Sequence, residues 1–107
     1  MGPGSLVVAF LHTPKGRVWG VVREMDGHGV WLEGIDLDSF EDWARQIARE
    51  KVPAIGLSVV FYPMLRIEKI LLDRTGPAQP SFADRFQTLV GMRVEEYLGL
   101  SGPASWA

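Results

Sequence analysis

The chain has 107 residues, with 11 basic and 13 acidic side chains, 47% apolar residues and no cysteine. This length and composition predict one folded domain and argue against disorder. The lack of cysteine excludes disulfides, thiolate metal sites and cysteine nucleophiles. The net charge of −2 argues against a general nucleic-acid binder. The longest apolar run, Leu6 to Leu11, is far too short to span a membrane. We therefore expect a cytoplasmic protein.

The chain divides into three parts by composition. Residues 1–5 (MGPGS) have no periodic pattern and resemble a remnant left by cloning into an expression vector, so they do not enter the fold prediction. Residues 6–99 are predicted to form the single domain. Residues 100–107 lack periodicity and are predicted to be a flexible tail.

Five segments have the β-branched and aromatic composition of strands. They are residues 6–12, 17–25, 30–37, 57–62 and 65–72. Thr13-Pro14-Lys15-Gly16 predicts a type I turn between the first two. In the last segment the apolar phase shifts at Glu68-Lys69, which predicts a bulge or a sharp coil of the strand.

The second and third strands are predicted to form a hairpin around Gly27-His28-Gly29, with Gly29 in the left-handed conformation. This loop places Met25 opposite Trp31, Arg23 opposite Glu33, Val21 opposite Ile35 and Trp19 opposite Leu37. The register collects the apolar residues on one face around an Arg23–Glu33 ion pair.

Two segments switch to helical periodicity. Residues 38–51 carry an apolar stripe of Phe40, Trp43, Ala44, Ile47 and Ala48, with Asp38 as the predicted N-cap and a Glu41–Arg45 ion pair. Residues 81–98 predict two shorter helices, with Ser81 as N-cap and Gly91 as C-terminal cap.

The four tryptophans separate by position. Trp43 is predicted to be core because it lies on the helical stripe, and Trp19 and Trp31 are predicted to share a covered sheet face. Trp106 lies in the tail. The strands between Leu57 and Leu72 are apolar on both faces, so either helices cover both faces or another chain buries one of them.

The pattern offers no recognisable catalytic centre. His12 and His28 are the two ordinary near-neutral bases, and neither has a paired nucleophile or a metal ligand at helical spacing. Asp26-Gly27-His28-Gly29 joins strand to strand and lacks the helix N-terminus of a phosphate loop. Asp36, Asp38 and Glu33 suggest a cation site only loosely, and capping by Asp38 is the preferred interpretation. We expect no enzyme activity, cofactor or metal.

Part of the chain, residues 6–72, resembles the Sm-like small β-barrel family. Gly20, Val22 and Asp26 match the spacing of the family's first motif, and Val30-Trp31-Leu32 are similar to the apolar strand that follows it. The second motif falls at Phe61 to Ile70, where Arg66 is followed by Ile67 rather than glycine. The resemblance implies a small barrel and ring-like or strand-edge association. The asparagine that the family uses for RNA is absent here.

These observations predict an α+β protein that is mainly β: a small five-stranded, bent antiparallel barrel of Sm or SH3 type, with a helix inserted at about 38–51 and helices at about 81–98. The predicted function is a non-catalytic adaptor or assembly module whose partner is another protein chain, either a second copy or a different protein. The predicted partner-binding residues are Tyr62, Met64, Arg66 and Glu68, on a strand interrupted by Pro63. The alternative is an Sm-like RNA-binding module.

Overall fold

A computed structural model describes residues 1–50 and 56–100. It contains a sheet of five strands, β1 (Leu6–Leu11), β2 (Gly16–Met25), β3 (Gly29–Asp36), β4 (Ser58–Pro63) and β5 (Ile67–Leu72). The helices are α1 (Leu37–Glu50), α2 (Phe82–Val90) and α3 (Val94–Tyr97), and a 3₁₀ turn at Met64–Arg66 joins β4 to β5. Lys51 and the predicted tail residues 101–107, including Trp106, lie outside the described residues.

The strands pair antiparallel in the order β4-β3-β2-β1-β5. β4 and β5 are the two ends of this order and do not pair with each other, so within the described ranges the sheet is open rather than a closed barrel. Gly4 and Ser5 continue the pairing of β1 with β2. The N–H of Gly4 donates to the carbonyl of Val22, and the N–H of Val22 donates to the carbonyl of Ser5.

The sheet buries apolar side chains on both faces. On the helix face, Trp19 and Ile35 pack against the stripe of α1 and against Phe86 and Val94 of the later helices. On the second face, a separate core contains Val7, Ala9, Val22, Val30 and Leu32. Partly buried Tyr62, Ile67 and Ile70 of the edge segments pack on this second core. Side chains of β4 and β5 therefore help to bury the second core, which no helix covers among the described residues.

The predicted hairpin register is wrong by one to two residues. Met25 lies opposite Val30, Val22 opposite Leu32 and Trp19 opposite Ile35, with a register shift between Val22 and Glu24. Gly29 belongs to β3 and is not left-handed. The turn is tightened by Asp26, whose Oδ1 accepts hydrogen bonds from the backbone N–H groups of His28 and Gly29. Those bonds, that of His28 first, lower the pKa of Asp26.

Two other local features, an ion pair and a bulge, are found as predicted. The Arg23–Glu33 ion pair forms despite the shifted register, because the irregularity at Arg23 lets its side chain reach Glu33. The bulge at Glu68 is confirmed, since Lys69 faces Phe10 while Ile67 faces Leu11.

The predicted caps and ion pair of the helices are mostly confirmed. Ser81 accepts from the N–H of Asp84, Gly91 is left-handed, and Arg45 pairs with Glu41. Asp38 is not the N-cap, because α1 begins one residue earlier, and it pairs with Arg17 at 3.6 Å instead. At the predicted type I turn, Thr13 has a φ of 51° and its bond to Pro14 is cis.

Two glycines bring β2 and β3 unusually close. Gly20 and Gly34 are register partners, and a Cβ on Gly20 would lie 2.6 Å from the carbonyl oxygen of Glu33 and 2.8 Å from the Cα of Gly34. Backbone atoms occupy the space of the missing side chain, so neither neighbour can move away by changing a rotamer. This seam explains why glycine stands in the middle of both strands.

Replacing Gly20 with alanine is therefore expected to lower the free energy of unfolding by about 1–3 kcal/mol, the range for overpacking. Urea denaturation followed by circular dichroism measures the loss. Gly27→Ala is the matched control, because a Cβ there meets nothing within 4 Å. Equal stability of the two variants would contradict a close-packed seam.

Candidate interaction surface

The exposed large apolar side chains are not scattered over the molecule. Apart from Met1, those of the described residues lie at the two ends of the strand order. One group is Trp31, Val59, Val60, Phe61, Met64 and Leu65, which we call the edge patch. The other is Leu71 and Leu72 on β5. Contiguous apolar surface of this kind is typical of a site that contacts another molecule.

Trp31 of the edge patch is exposed because the helices cover only one end of the helix face. Side chains alternate along β3, so Trp31, Glu33 and Ile35 point to the same side. α1 packs over Ile35 and Trp19 at one end, whereas Trp31 at the other end is 43% exposed. The prediction that Trp31 shares the covered core with Trp19 is therefore wrong.

Trp31 is supported from the neighbouring strand. Its register partner is Phe61 of β4, and the two ring centroids lie 5.2 Å apart. Aromatic rings at this separation attract each other beyond their burial. The Arg23–Glu33 ion pair lies one step further along the same face. Trp31 and Phe61 therefore form a packed apolar pair beside the Arg23–Glu33 ion pair.

About half of the backbone N–H and C=O groups of β4 do not bond to β3. The N–H of Met64 donates to the carbonyl of His28 at 2.9 Å, which fixes the phase of the β3–β4 ladder. Because antiparallel ladder bonds alternate, Tyr62 and Val60 bond to β3, whereas Val59 and Phe61 turn their N–H and C=O groups away from the sheet. Pro63 has the same outward phase but no N–H to offer. Among the described residues, β4 is thus an edge with two outward-facing residues, Val59 and Phe61, and a proline at its end.

The opposite edge is chemically different. β5 carries Glu68 and Lys69, both exposed, beside its exposed leucines. The Lys69 ammonium lies 4.8 Å from the centre of the Phe10 ring, a cation–π distance. Charged residues, lysine above all, discourage further strands from adding to an edge. β4 has no charged residue from Ser58 to Pro63.

Arg66 links the 3₁₀ turn between β4 and β5 to the turn between β1 and β2. Its Nε donates to the carbonyl of His12 at 3.0 Å, and a terminal nitrogen donates to the carbonyl of Pro14 at 3.3 Å. The N–H of His12 in turn donates to the carbonyl of Arg66. The side chain therefore holds the β1–β2 turn against the 3₁₀ turn, a contact between segments more than fifty residues apart.

The four predicted partner-binding residues lie in different settings. Met64 is exposed on the 3₁₀ turn, and Arg66 beside it is engaged as described. Tyr62 is half-buried on the second core, where burial, followed by the negative charge of Asp36, raises the pKa of its hydroxyl. Glu68 lines a depression on the other side of the turn, next to Phe10 and Arg17. Sequence reasoning missed Trp31, Phe61 and Leu65 as candidate contacts.

Both histidines lie at exposed turns. His12 Nδ1 lies 3.2 Å from the hydroxyl of the neighbouring Thr13, and His28 Nδ1 lies 3.6 Å from Asp26 Oδ1 at the tip of the hairpin. No group of three or more His, Asp or Glu side chains within residues 1–50 and 56–100 is placed to hold a metal ion. None of the helices in these ranges is long and apolar enough to cross a membrane.

Comparison of the chain with protein-family models, with curated proteins and with solved structures gives no match in any of the three.

Proposed function

We propose that this protein is a non-catalytic assembly or adaptor module of the cytoplasm that binds another protein chain through the edge patch. The observation that carries this proposal is the concentration of exposed apolar side chains along an uncharged strand with free backbone groups. Protein interfaces combine an apolar, aromatic-rich centre with a polar rim. Trp31 and Phe61 supply such a centre, and the Arg23–Glu33 pair supplies part of the rim.

The predicted contact residues fit this proposal to different extents. Met64 belongs to the edge patch, and Leu65 next to it is 88% exposed, so the 3₁₀ turn offers two apolar side chains to a partner. We propose that Tyr62, Arg66 and Glu68 act at the border of this surface, where Arg66 also keeps the turn in place. The bent, barrel-like sheet of the Sm-like resemblance remains part of the same proposal.

Binding to RNA is the alternative, and one depression favours it. Lys15, Arg17 and Phe10 line this depression, and Lys69 lies over the Phe10 ring, so basic side chains surround an aromatic ring as in many single-strand binding sites. Two carboxylates, Glu68 and Asp38, line the same depression, and Asp38 pairs with Arg17. They oppose the approach of phosphates, so a protein partner is the better-supported proposal.

The proposal is tested with Leu65→Glu in the full chain. We expect the wild type, immobilised in an extract of its native host, to retain a protein that is either a further copy or a different chain. Leu65→Glu is expected to lose at least tenfold of this retention, since it places a charge in an apolar contact. Leu71→Glu, at the other end of the sheet, is the matched control and should retain the partner.

Two results would contradict the proposal. One is equal retention by the wild type and Leu65→Glu while both unfold at the same temperature. The other is tight binding of a short single-stranded RNA, measured by fluorescence anisotropy, with affinity that falls steeply as salt rises.

A further inference from the structure

We infer that two copies of this chain pair through their β4 strands about a two-fold axis at Val60, forming one continuous ten-stranded sheet. The inference deepens the proposed function and rests on it, because it names the partner of the edge patch as a second copy and fixes the register of contact. Three features of β4 carry it: the outward backbone groups, the absence of charge, and the position of the apolar side chains.

The backbone groups of β4 are complementary to themselves. In an antiparallel pair, two residues that both point outward can exchange two hydrogen bonds. The outward residues Val59 and Phe61 lie on either side of Val60. A two-fold axis at Val60 therefore sets Val59 of each copy opposite Phe61 of the other, and both residue pairs are fully bonded. A one-residue slip sets an outward residue opposite one that already bonds to β3 and loses this match.

The proline at the end of β4 fits the same register. Pro63 has the outward phase but no N–H, so it cannot form a fully bonded residue pair. The paired stretch is therefore centred on Val59 to Phe61, where both outward residues retain their N–H groups.

Charge also makes β4, rather than β5, the edge suited to a second copy. A two-fold axis brings identical residues together, so a charged strand would oppose itself across the contact. Ser58–Pro63 carries no charge and meets no such penalty. β5 carries Glu68 and Lys69. Of the two edges, β4 is thus the one suited to pairing with a copy of itself.

The side chains fall on the correct faces for burial. An axis perpendicular to the sheet keeps the helix faces of both copies on one side. Phe61 and Val59 of the two copies then meet on that side, next to both Trp31 rings. On the second face, Val60 meets Val60 of the other copy as a non-bonded pair, where opposing side chains are closest. Val59, the most exposed of the large apolar residues of β4 at 55%, is covered in this arrangement.

The register is tested by cysteine cross-linking, for which the chain has no interfering native cysteine. Val60→Cys, treated with a mild oxidant, is expected to convert most chains to a covalent dimer, because non-bonded partners lie ~4.5 Å apart at Cα, within disulfide range. Val59→Cys and Phe61→Cys are each expected to form no covalent dimer on their own. Their mixture is expected to cross-link, since these positions face each other.

The same proposal is tested without cross-linking by light scattering from low to high micromolar concentration. The wild type is expected to reach twice the mass of the chain, and Val60→Lys to remain at the single mass with an unchanged circular dichroism spectrum. Leu71→Lys and Leu71→Cys are matched controls on β5; the first is expected to remain a dimer and the second not to cross-link.

The outcomes separate this inference from the proposed function. A wild type that stays at the single mass throughout, or a dimer that cross-links at Leu71→Cys and not at Val60→Cys, overturns the β4 pairing. If that chain still retains a different protein through Leu65, the assembly function stands and the second copy is the wrong partner. If it retains no protein at all, both proposals fail.

Discussion

Trp43→Ala is expected to lower the free energy of unfolding by about 3–5 kcal/mol, the range for removing a large aromatic side chain from a core. Trp43 is 1% exposed and lies between the sheet and the later helices. Its ring centroid is 5.8 Å from that of Trp19, 5.2 Å from that of Phe86 and 6.1 Å from that of Tyr97. Truncation would leave a cavity that touches α1, α2, α3 and β2 at once.

Urea denaturation at one fixed protein concentration measures this loss, because association would otherwise shift the midpoint. Trp31→Ala is the matched control: it removes the same side chain from the edge patch and is expected to cost less than about 1 kcal/mol at concentrations where the chain is monomeric. A loss below about 1 kcal/mol for Trp43→Ala would mean that the helices do not close on the sheet as described.

Asp73→Ala is expected to cost about 2–4 kcal/mol, from an unsatisfied buried donor and a lost helix cap. Asp73 follows β5 and accepts three hydrogen bonds. Its Oδ2 accepts from Trp19 Nε1 at 3.1 Å and from the N–H of Ala83 at 2.9 Å, and its Oδ1 accepts from the N–H of Phe82 at 2.8 Å. One carboxylate thus joins β2, the end of β5 and the first turn of α2.

The role of this carboxylate is isolated by a double-mutant cycle with Trp19→Phe, which removes the indole N–H and keeps an aromatic ring. In that background Asp73→Ala is expected to lower the free energy of unfolding by about 1 kcal/mol less, because no buried indole N–H is left without an acceptor. Asp42→Ala, exposed on α1, is the control and should be near neutral. Full additivity of Asp73→Ala and Trp19→Phe would contradict the hydrogen bond as a stabilising contact.

The sequence predicted the elements well because each depends on local chemistry. The stripe of α1, the Ser81 cap and the left-handed Gly91 all follow from residues within one or two turns of chain. The α+β class and the five antiparallel strands are confirmed on the same basis. The hairpin register failed because an irregularity at Arg23 and the side chain of Asp26 decided it, and neither has a period that hydrophobic patterning can detect.

The candidate surface was only partly accessible from sequence. Apolar residues on both faces of the segment 57–72 correctly indicated that something unusual happens there. Which face is left open depends on how far α1 reaches over the sheet, and that is a tertiary property. Trp31 therefore looked identical to Trp19 in sequence, yet it lies beyond the reach of the helix. The task of Arg66 was hidden for the same reason, because its acceptors lie more than fifty residues away.

The contrast between the two sheet edges bears on where growth of an assembly stops. A chain with two adhesive edges can add copies without limit, and open-ended strand addition leads to fibres. In the proposed dimer the uncharged edge lies in the contact between the two copies, and each outer edge of the resulting sheet is a β5 with Glu68 and Lys69. Such charges oppose the addition of further strands. Neutralising both is expected to convert a finite particle into one that precipitates as concentration rises.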